Sequence, residues 1–267
     1  MMVSANEGLD GTAMAIIFFD IDGTLAEGTY VPQSAADAVA RTRAAGNLVF
    51  ICTGRPLAYA ENTFGAYADG FVCCNGRLAV RCGERVIGRP ITQEQMTTIL
   101  RVLDEFGVGY AFFGADGLYY GGNQKYRPIS DQVHGPCGEL DEALAEGEDL
   151  YSYDIFFAEA AERDAIAAAL EGISLVNPHG PHPSADVTVA GYGKGDACLD
   201  VCRALGIDHA DSYAFGDGVN DISMVEAVAH GVAMGNAVDE LKKVAEFVTT
   251  DIHDDGVANG LAHFGLA

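Results

Sequence analysis

The sequence predicts an α/β protein built on a parallel sheet, with an α+β domain inserted into it. Three observations predict this. Short apolar runs alternate with helix-spaced stretches towards both ends of the chain, the rhythm of strands joined by crossover helices. Several of those runs end in polar, glycine-containing loops. Between residues 82 and 190 the rhythm changes to hairpin-like pairs, as expected of a separate domain set between two parts of the first.

Each element has its own signal. Ala13 to Phe19 is an apolar run ending in Asp-Ile-Asp-Gly-Thr, a buried strand running into a tight loop. Gln33 to Ala45 follows helical spacing, with Ala36, Val39 and Ala40 on one face and Gly46 as a stop. Leu48 to Cys52 is a second strand, ending in Thr-Gly-Arg-Pro; Leu57 to Tyr67 is helical, and Gly70 to Cys74 is a third strand. In the insert, Arg85 to Pro90 reads as a strand and Thr92 to Phe106 as a helix. Gly109 to Phe113 and Leu118 to Gly121 read as a hairpin. Asp154 to Ala158, Leu175 to Asn177 and Ala185 to Val189 read as strands, and Ala160 to Leu170 as a helix. The first rhythm then returns. Helices are expected at Gly195 to Leu205, Ile222 to Ala229 and Val238 to Val244, and strands at Tyr213 to Phe215, Gly231 to Met234 and Phe247 to Thr249. The domains are therefore expected at 14–81 with 191–267, and at 82–190. Residues 1–13 read as a loose leader, without the basic head and apolar run of a secretory signal.

Composition narrows the function. Of 267 residues 49% are hydrophobic, enough for a substantial core, yet no run reaches membrane-spanning length. Acidic residues outnumber basic ones by 39 to 15, giving a formal charge of −24. Such a field repels nucleic acid and anionic membranes, so neither is an expected partner. The seven cysteines are an odd number without a visible signal peptide, which favours a reduced, cytoplasmic protein. Cys198 and Cys202 stand four apart on an expected helix, where buried packing is favoured over a metal pair; Cys73 and Cys74 also read as core.

Ligands of open parallel sheets bind beyond the carboxyl ends of the strands. Asp20-Ile21-Asp22-Gly23-Thr24-Leu25, Thr53-Gly54-Arg55 and Gly216-Asp217-Gly218-Val219-Asn220-Asp221 all follow apolar runs, and Gly193-Lys194-Gly195-Asp196 begins a helix. Phosphate-ester cleavage needs an in-line nucleophile, countercharge for the phosphoryl oxygens and a proton for the leaving alkoxide. Asp20, at a strand end, suits the nucleophile, and Asp22 the acid and base. The amides around Gly23, the Thr53 hydroxyl and the Gly54 amide suit phosphate. Lys194, one of four lysines in the chain, supplies positive charge to phosphate and nucleophile. Asp20, Asp22, Asp217 and Asp221 near one point imply a cation, and hard oxygen ligands suggest Mg²⁺.

These residues resemble, in order and spacing over the full length, the motif set of the haloacid dehalogenase-like hydrolases. Asp20 and Asp22 match the first motif, Thr53 the second, Lys194 the third, and Asp217 with Asp221 the fourth. The insert, with Cys74-Asn75-Gly76 and Asp255-Gly256-Val257, is similar to the Cof-type branch. The resemblance implies a Rossmann-like parallel sheet core with an inserted α+β cap that sets specificity. It implies an Mg²⁺-dependent phosphatase acting on a small phosphorylated metabolite, a sugar or cofactor phosphate, through an aspartyl-phosphate. It implies Mg²⁺ held by Asp20, the backbone carbonyl of Asp22, Asp217 and Asp221. Phosphate would be held by Ile21, Gly23, Thr53, Gly54, Arg55, Lys194 and Asn220, with Asn220 orienting Lys194 or the phosphate.

Other readings stay open. A sugar hydroxyl in place of water would make the same intermediate serve a phosphomutase or phosphotransferase, and a silent relative would bind a phosphate ligand without turnover. Arg55 suits either a contact with substrate or cap, or a surface salt bridge. His179 and His182 read as a rigid loop rather than a metal tract, and His253-Asp254-Asp255 as a solvated turn rather than a metal contact. Tyr110, Phe112, Phe113, Tyr119 and Tyr120 alternate on the hairpin and read mostly as core and surface, not as a substrate wall. The substrate and the oligomeric state have no motif of their own.

Overall fold

The structure, a computed structural model, describes residues 14–178 and 183–267. The expected leader and the His179–His182 pair lie outside the described residues. The described residues form two compact bodies, one of residues 14–53, 59–87 and 193–267, the other of residues 54–58, 88–178 and 183–192.

The first body opens with β1 (Ile16–Phe19), α1 (Gln33–Ala44), β2 (Leu48–Cys52), α2 (Leu57–Phe64), β3 (Gly70–Cys73), β4 (Leu78–Arg81) and β5 (Glu84–Gly88). The second body continues with α3 (Gln93–Phe106), β6 (Gly109–Gly114), β7 (Leu118–Gly122), α4 (Arg127–His134), β8 (Gly138–Glu139), α5 (Leu140–Glu146), β9 (Leu150–Phe156), α6 (Ala160–Ala169), β10 (Ser174–Pro178) and β11 (Ser184–Val189). The chain then completes the first body with α7 (Lys194–Leu205), β12 (Ser212–Gly216), α8 (Ile222–Ala227), β13 (His230–Ala233), α9 (Asp239–Val244), β14 (Phe247–Val248) and α10 (Gly256–His263).

Among the described residues, the first body's sheet has eight strands in the order β14-β13-β12-β1-β2-β3-β4-β5. Neighbours from β14 to β3 are parallel, and β4 turns back antiparallel to β3. β1 and β2 are buried along their whole length, which is why they are continuous apolar runs: helices cover both faces of a parallel sheet. The direction of the strands places the ends of β1, β2 and β12 side by side. Phe19 lies beside both Ile51 and Phe215, so the loops that follow emerge together.

The second body's sheet runs β10-β11-β9-β6-β7-β8, antiparallel except for β7 with β8. One apolar core joins Met96, Ile99, Val102 and Leu103 of α3 and Ile166 of α6 to Phe112, Tyr153 and Val187 of the sheet. Phe112 stacks on Tyr153 at 4.7 Å. Tyr110, Phe112, Phe113 and Tyr120 are buried and Tyr119 partly so, in line with the core reading of the hairpin.

Several expectations shift. The buried stripe of α1 is Ala35, Ala38, Val39 and Thr42, whereas Ala40 is exposed; alanine is too small to mark a helix face by itself. β9 runs from Leu150 to Phe156, not from Asp154 to Ala158. Its alternating Tyr151, Ser152, Tyr153 and Asp154 are all buried in the centre of the sheet. The sequence reading did not anticipate β4, α4, α5 or α10.

Helix α3 has a complete capping box. The Thr92 hydroxyl accepts from the Gln95 amide at 3.3 Å, and the Gln95 side chain accepts from the Thr92 amide at 3.0 Å. Thr92→Ala is expected to lower stability by about 1 kcal/mol, read as a shift of the urea unfolding midpoint with an unchanged slope.

Candidate active site

The loop after β1 carries Asp20, whose amide donates to Phe215 O at 3.0 Å and so ties the loop to β12. The chain then turns tightly: Thr24 N and Ala26 N both donate to Ile21 O, and Leu25 N donates to Asp20 O. Gly23 makes the turn possible. Its φ of +85° is open to glycine, and a Cβ there would collide with the Asp217 carboxylate.

The loop after β12 is folded onto its own acid. Asp221 Oδ2 accepts from the amides of Asp217 at 3.1 Å and Gly218 at 3.0 Å. This leaves Asp221 Oδ1 for Lys194, whose Nζ lies 2.7 Å away. Lys194 Nζ also donates to Asp20 Oδ1 at 2.6 Å. Lys194 heads α7, where the Asp196 carboxylate accepts from the Gly193 amide at 3.0 Å. Asp20, Asp217 and Asp221 thus present carboxylate oxygens within 4.8 Å of one another.

The electrostatics follow from burial and crowding. Asp20 is pushed up to about 8, first by burial and then by the Asp221 carboxylate, against the pull of Lys194. Asp217 is pushed up to about 6 by the same two causes, eased by a hydrogen bond from Thr24 Oγ1 at 3.1 Å. Burial works against a charged Lys194, but the Asp20 and Asp221 carboxylates outweigh it and hold the ammonium well above its usual range. With all three acids ionised, three negative charges face one positive charge and leave −2. That excess and the all-oxygen donor set fit a hard divalent cation.

The other residues singled out from the sequence take distinct places. Thr53 is 2% exposed and follows β2. Its carbonyl accepts from the Asn75 amide at 3.1 Å and its amide donates to Val72 O at 2.8 Å, so β3 and its following turn hold it. Asp22 is exposed. Its side chain stands outside the three-carboxylate cluster, although its charge reaches Asp217. Asn220 is exposed and is not among the partners of Lys194, which are the two aspartates. Gly54 and Arg55 continue the chain beyond Thr53 and are counted with the second body. His253 is exposed and meets Glu27 at 3.2 Å, away from the acidic cluster. All seven cysteines are free and all but Cys82 are buried, Cys198 and Cys202 included.

Two contributors carried no role in the sequence reading. Thr24 orients Asp217 through its hydroxyl. Asn236 donates to Gly23 O at 2.8 Å and accepts from the Ile252 amide at 3.0 Å, bracing the first loop against the last ones. Their signals were faint: Thr24 completes the first motif, and Gly235-Asn236 ends an apolar run as the other site loops do.

Lys194→Met is expected to cost about 3 kcal/mol in the metal-free protein, because two carboxylates buried against it lose their countercharge. Urea unfolding of both chains in a chelating buffer measures this. A variant as stable as the parent would contradict the pairing.

Residues 17–261 match the model of a protein family described as haloacid dehalogenase-like hydrolase. The chain is 32% identical over 262 residues to YkrA of Bacillus subtilis (strain 168), which is classed as a phosphatase, covering 94% of this chain and 98% of that one. It is 26% identical to the pyridoxal phosphate phosphatase YbhA of Escherichia coli (strain K12), covering 91% and 96% of the two chains. Among solved structures, it superposes on the subclass IIB sugar phosphatase BT4131 with a TM-score of 0.76 at 28% identity, over 95% of this chain and all of that one. The chain therefore belongs to the haloacid dehalogenase-like hydrolase family, among its Cof-type phosphatases.

Proposed function

We propose that the chain hydrolyses a small phosphorylated metabolite, a sugar or cofactor phosphate, in an Mg²⁺-dependent reaction through an aspartyl-phosphate on Asp20. The observation that carries this reading is the Asp20 carboxylate, almost buried, held at 2.6 Å by Lys194 and grouped with Asp217 and Asp221. Asp20, Asp217 and Asp221 would hold the ion, with the Asp22 carbonyl beside them. When bound, Mg²⁺ supplies charge neutralisation that lets a carboxylate approach a phosphate.

The chain's own groups do the rest. A carboxylate oxygen of Asp20 attacks phosphorus, and the bond to the leaving oxygen breaks as Asp22 gives that oxygen a proton. Asp22, now a base, takes a proton from water, which attacks phosphorus and returns Asp20 and inorganic phosphate. The exposure of Asp22 supports this role, because it must meet both the leaving group and water. Lys194 keeps Asp20 in place and offsets phosphoryl charge. Thr53, the amides of Ile21, Gly23 and Gly54, Arg55 and Asn220 are assigned to the phosphate. The inserted domain, residues 82–190 by the sequence reading, is assigned to specificity. The substrate class draws on two relatives named for a cofactor phosphate and a sugar phosphate. A cytoplasmic setting draws on the free cysteines, one of them exposed; no helix among the described residues is long and apolar enough to cross a membrane.

The test is a panel of metabolite phosphates assayed with and without Mg²⁺. Asp20→Asn is expected to fold normally and lose turnover by at least about a thousandfold. Mg²⁺-dependent release of phosphate by that variant would refute the nucleophile. Isomer formation without phosphate release by the parent would refute hydrolysis. Thr24→Val is expected to raise the Mg²⁺ concentration for half-maximal activity by about tenfold, since it removes the hydrogen bond orienting a metal ligand. Its rate at saturating Mg²⁺ should stay within about twofold of the parent.

A further inference from the structure

The first body has a concavity at the other end of β3 from the Cys74–Gly76 turn. It has a volume of about 360 Å³ and is lined by residues of α1, α2, β3 with the two residues before it, and β4 with the turn after it. Four charged side chains line it: Arg43, Glu61, Asp69 and Arg81. Two of them satisfy each other. Arg43 grips Asp69 through Nε at 3.1 Å and Nη2 at 2.8 Å, its Nη1 donates to Ala66 O at 2.8 Å, and the Val49 amide donates to Asp69 Oδ2 at 2.9 Å. This clasp closes the β2–β3 connection and leaves little capacity for a ligand.

The other two are different. Arg81 Nε is buried without a hydrogen-bond partner. Among the described residues the side chains of Arg81 and Glu61 form no ion pair, with each other or with anything else. Arg81 lines the cavity without a countercharge, and a carboxylate held there would supply one. Glu61 faces the same space with the opposite charge. Ala68, Gly70, Phe71 and Val80 add apolar wall to the same cavity. A plain anion would find Arg81 but meet the Glu61 carboxylate; a plain cation would meet the reverse.

We propose that this cavity is a non-catalytic binding site for an α-amino acid with an apolar side chain, its carboxylate on Arg81 and its ammonium on Glu61. The walls give the side chain cover, and the two unpaired charges match a zwitterion in sign and number. Nothing in this assignment involves Asp20 or phosphate.

Cys82 provides the readout. It lies in the two-residue turn between β4 and β5, where Cys82 and Gly83 both have positive φ. It lines the cavity and is the exposed cysteine of the seven. The full chain is treated with iodoacetamide, and alkylation of Cys82 is followed by peptide mass spectrometry, with L-leucine as the probe. At about ten times its dissociation constant, L-leucine is expected to slow alkylation about tenfold, because only the unoccupied fraction reacts. N-acetyl-leucine, which lacks the ammonium, and leucinamide, which lacks the carboxylate, should protect far less. Arg81→Met and Glu61→Gln should each abolish protection by L-leucine with unchanged circular dichroism. Glu61 is exposed on α2, so its variant carries the test if Arg81→Met does not fold. The proposal is overturned if L-leucine gives no protection, if leucinamide or N-acetyl-leucine protects equally, if Glu61→Gln leaves protection intact, or if inorganic phosphate protects where L-leucine does not. The experiment measures no catalysis, so its outcome is separate from that of the Asp20 assignment.

Discussion

A buried ammonium wedged between two carboxylates organises this protein. Lys194 Nζ, on a side chain 1% exposed, reaches Asp20 and Asp221 across 174 and 27 positions of sequence. Three chain segments must therefore be in register before both ion pairs can form. Desolvating them is costly and their mutual attraction only partly offsets the cost. The cluster still carries an excess of negative charge, which lifts both Asp20 and Asp217. A folded state that tolerates such a site needs a strong apolar frame beneath it. β1 and β2, fully buried, supply that frame. The charge excess is also what fits the cluster to a hard divalent cation, which would supply the missing positive charge.

The frame brings the strand ends together, but the last few ångströms are set by backbone detail. Gly23 lets its loop pass against the Asp217 carboxylate. Gly76 plays a similar part at the start of α7, where a Cβ would collide with the Gly193 carbonyl one residue before Lys194. Beside it, Cys74 and Asn75 both adopt positive φ, and the Asn75 amide is spent on the Thr53 carbonyl. Left-handed backbone at two successive non-glycine residues is unusual; here it joins the loop after β3 to the loop after β2. Asn236 does comparable work on the other side, linking Gly23 to Ile252. The carboxylate cluster, Lys194 and Thr53 are thus positioned largely by the backbone around them.

The same sheet offers chemistry at both ends of β3 for opposite reasons. At the carboxyl ends of the parallel strands, charges converge and compensate one another incompletely as a group. At the Asp69–Gly70 end, the Arg43–Asp69 clasp is saturated, and two further charges of opposite sign line the same cavity as apolar residues. The first arrangement suits an ion and a phosphoryl group; the second suits a molecule that carries both signs.

By itself the sequence determined the class of the fold and singled out the groups proposed to react. Periodicity is local: a continuous apolar run followed by a glycine-containing loop reads as a buried strand end whatever lies elsewhere. That is why β2 was legible to the residue and the site motifs were found with it. What escaped depends on partners distant in sequence. β4 is short and exists because it pairs with β3. α10 contains Gly256, Asn259 and Gly260, poor helix formers, and is held by packing, with Gly260 set against the Phe215 ring. The bonds from Thr24 to Asp217 and from Asn236 to Gly23, the separation of Asp22 from the acidic cluster and the unpaired state of Arg81 were decided in three dimensions alone. Hydrogen bonding and desolvation depend on what the folded chain places within about 3 Å, and a linear pattern carries no record of that.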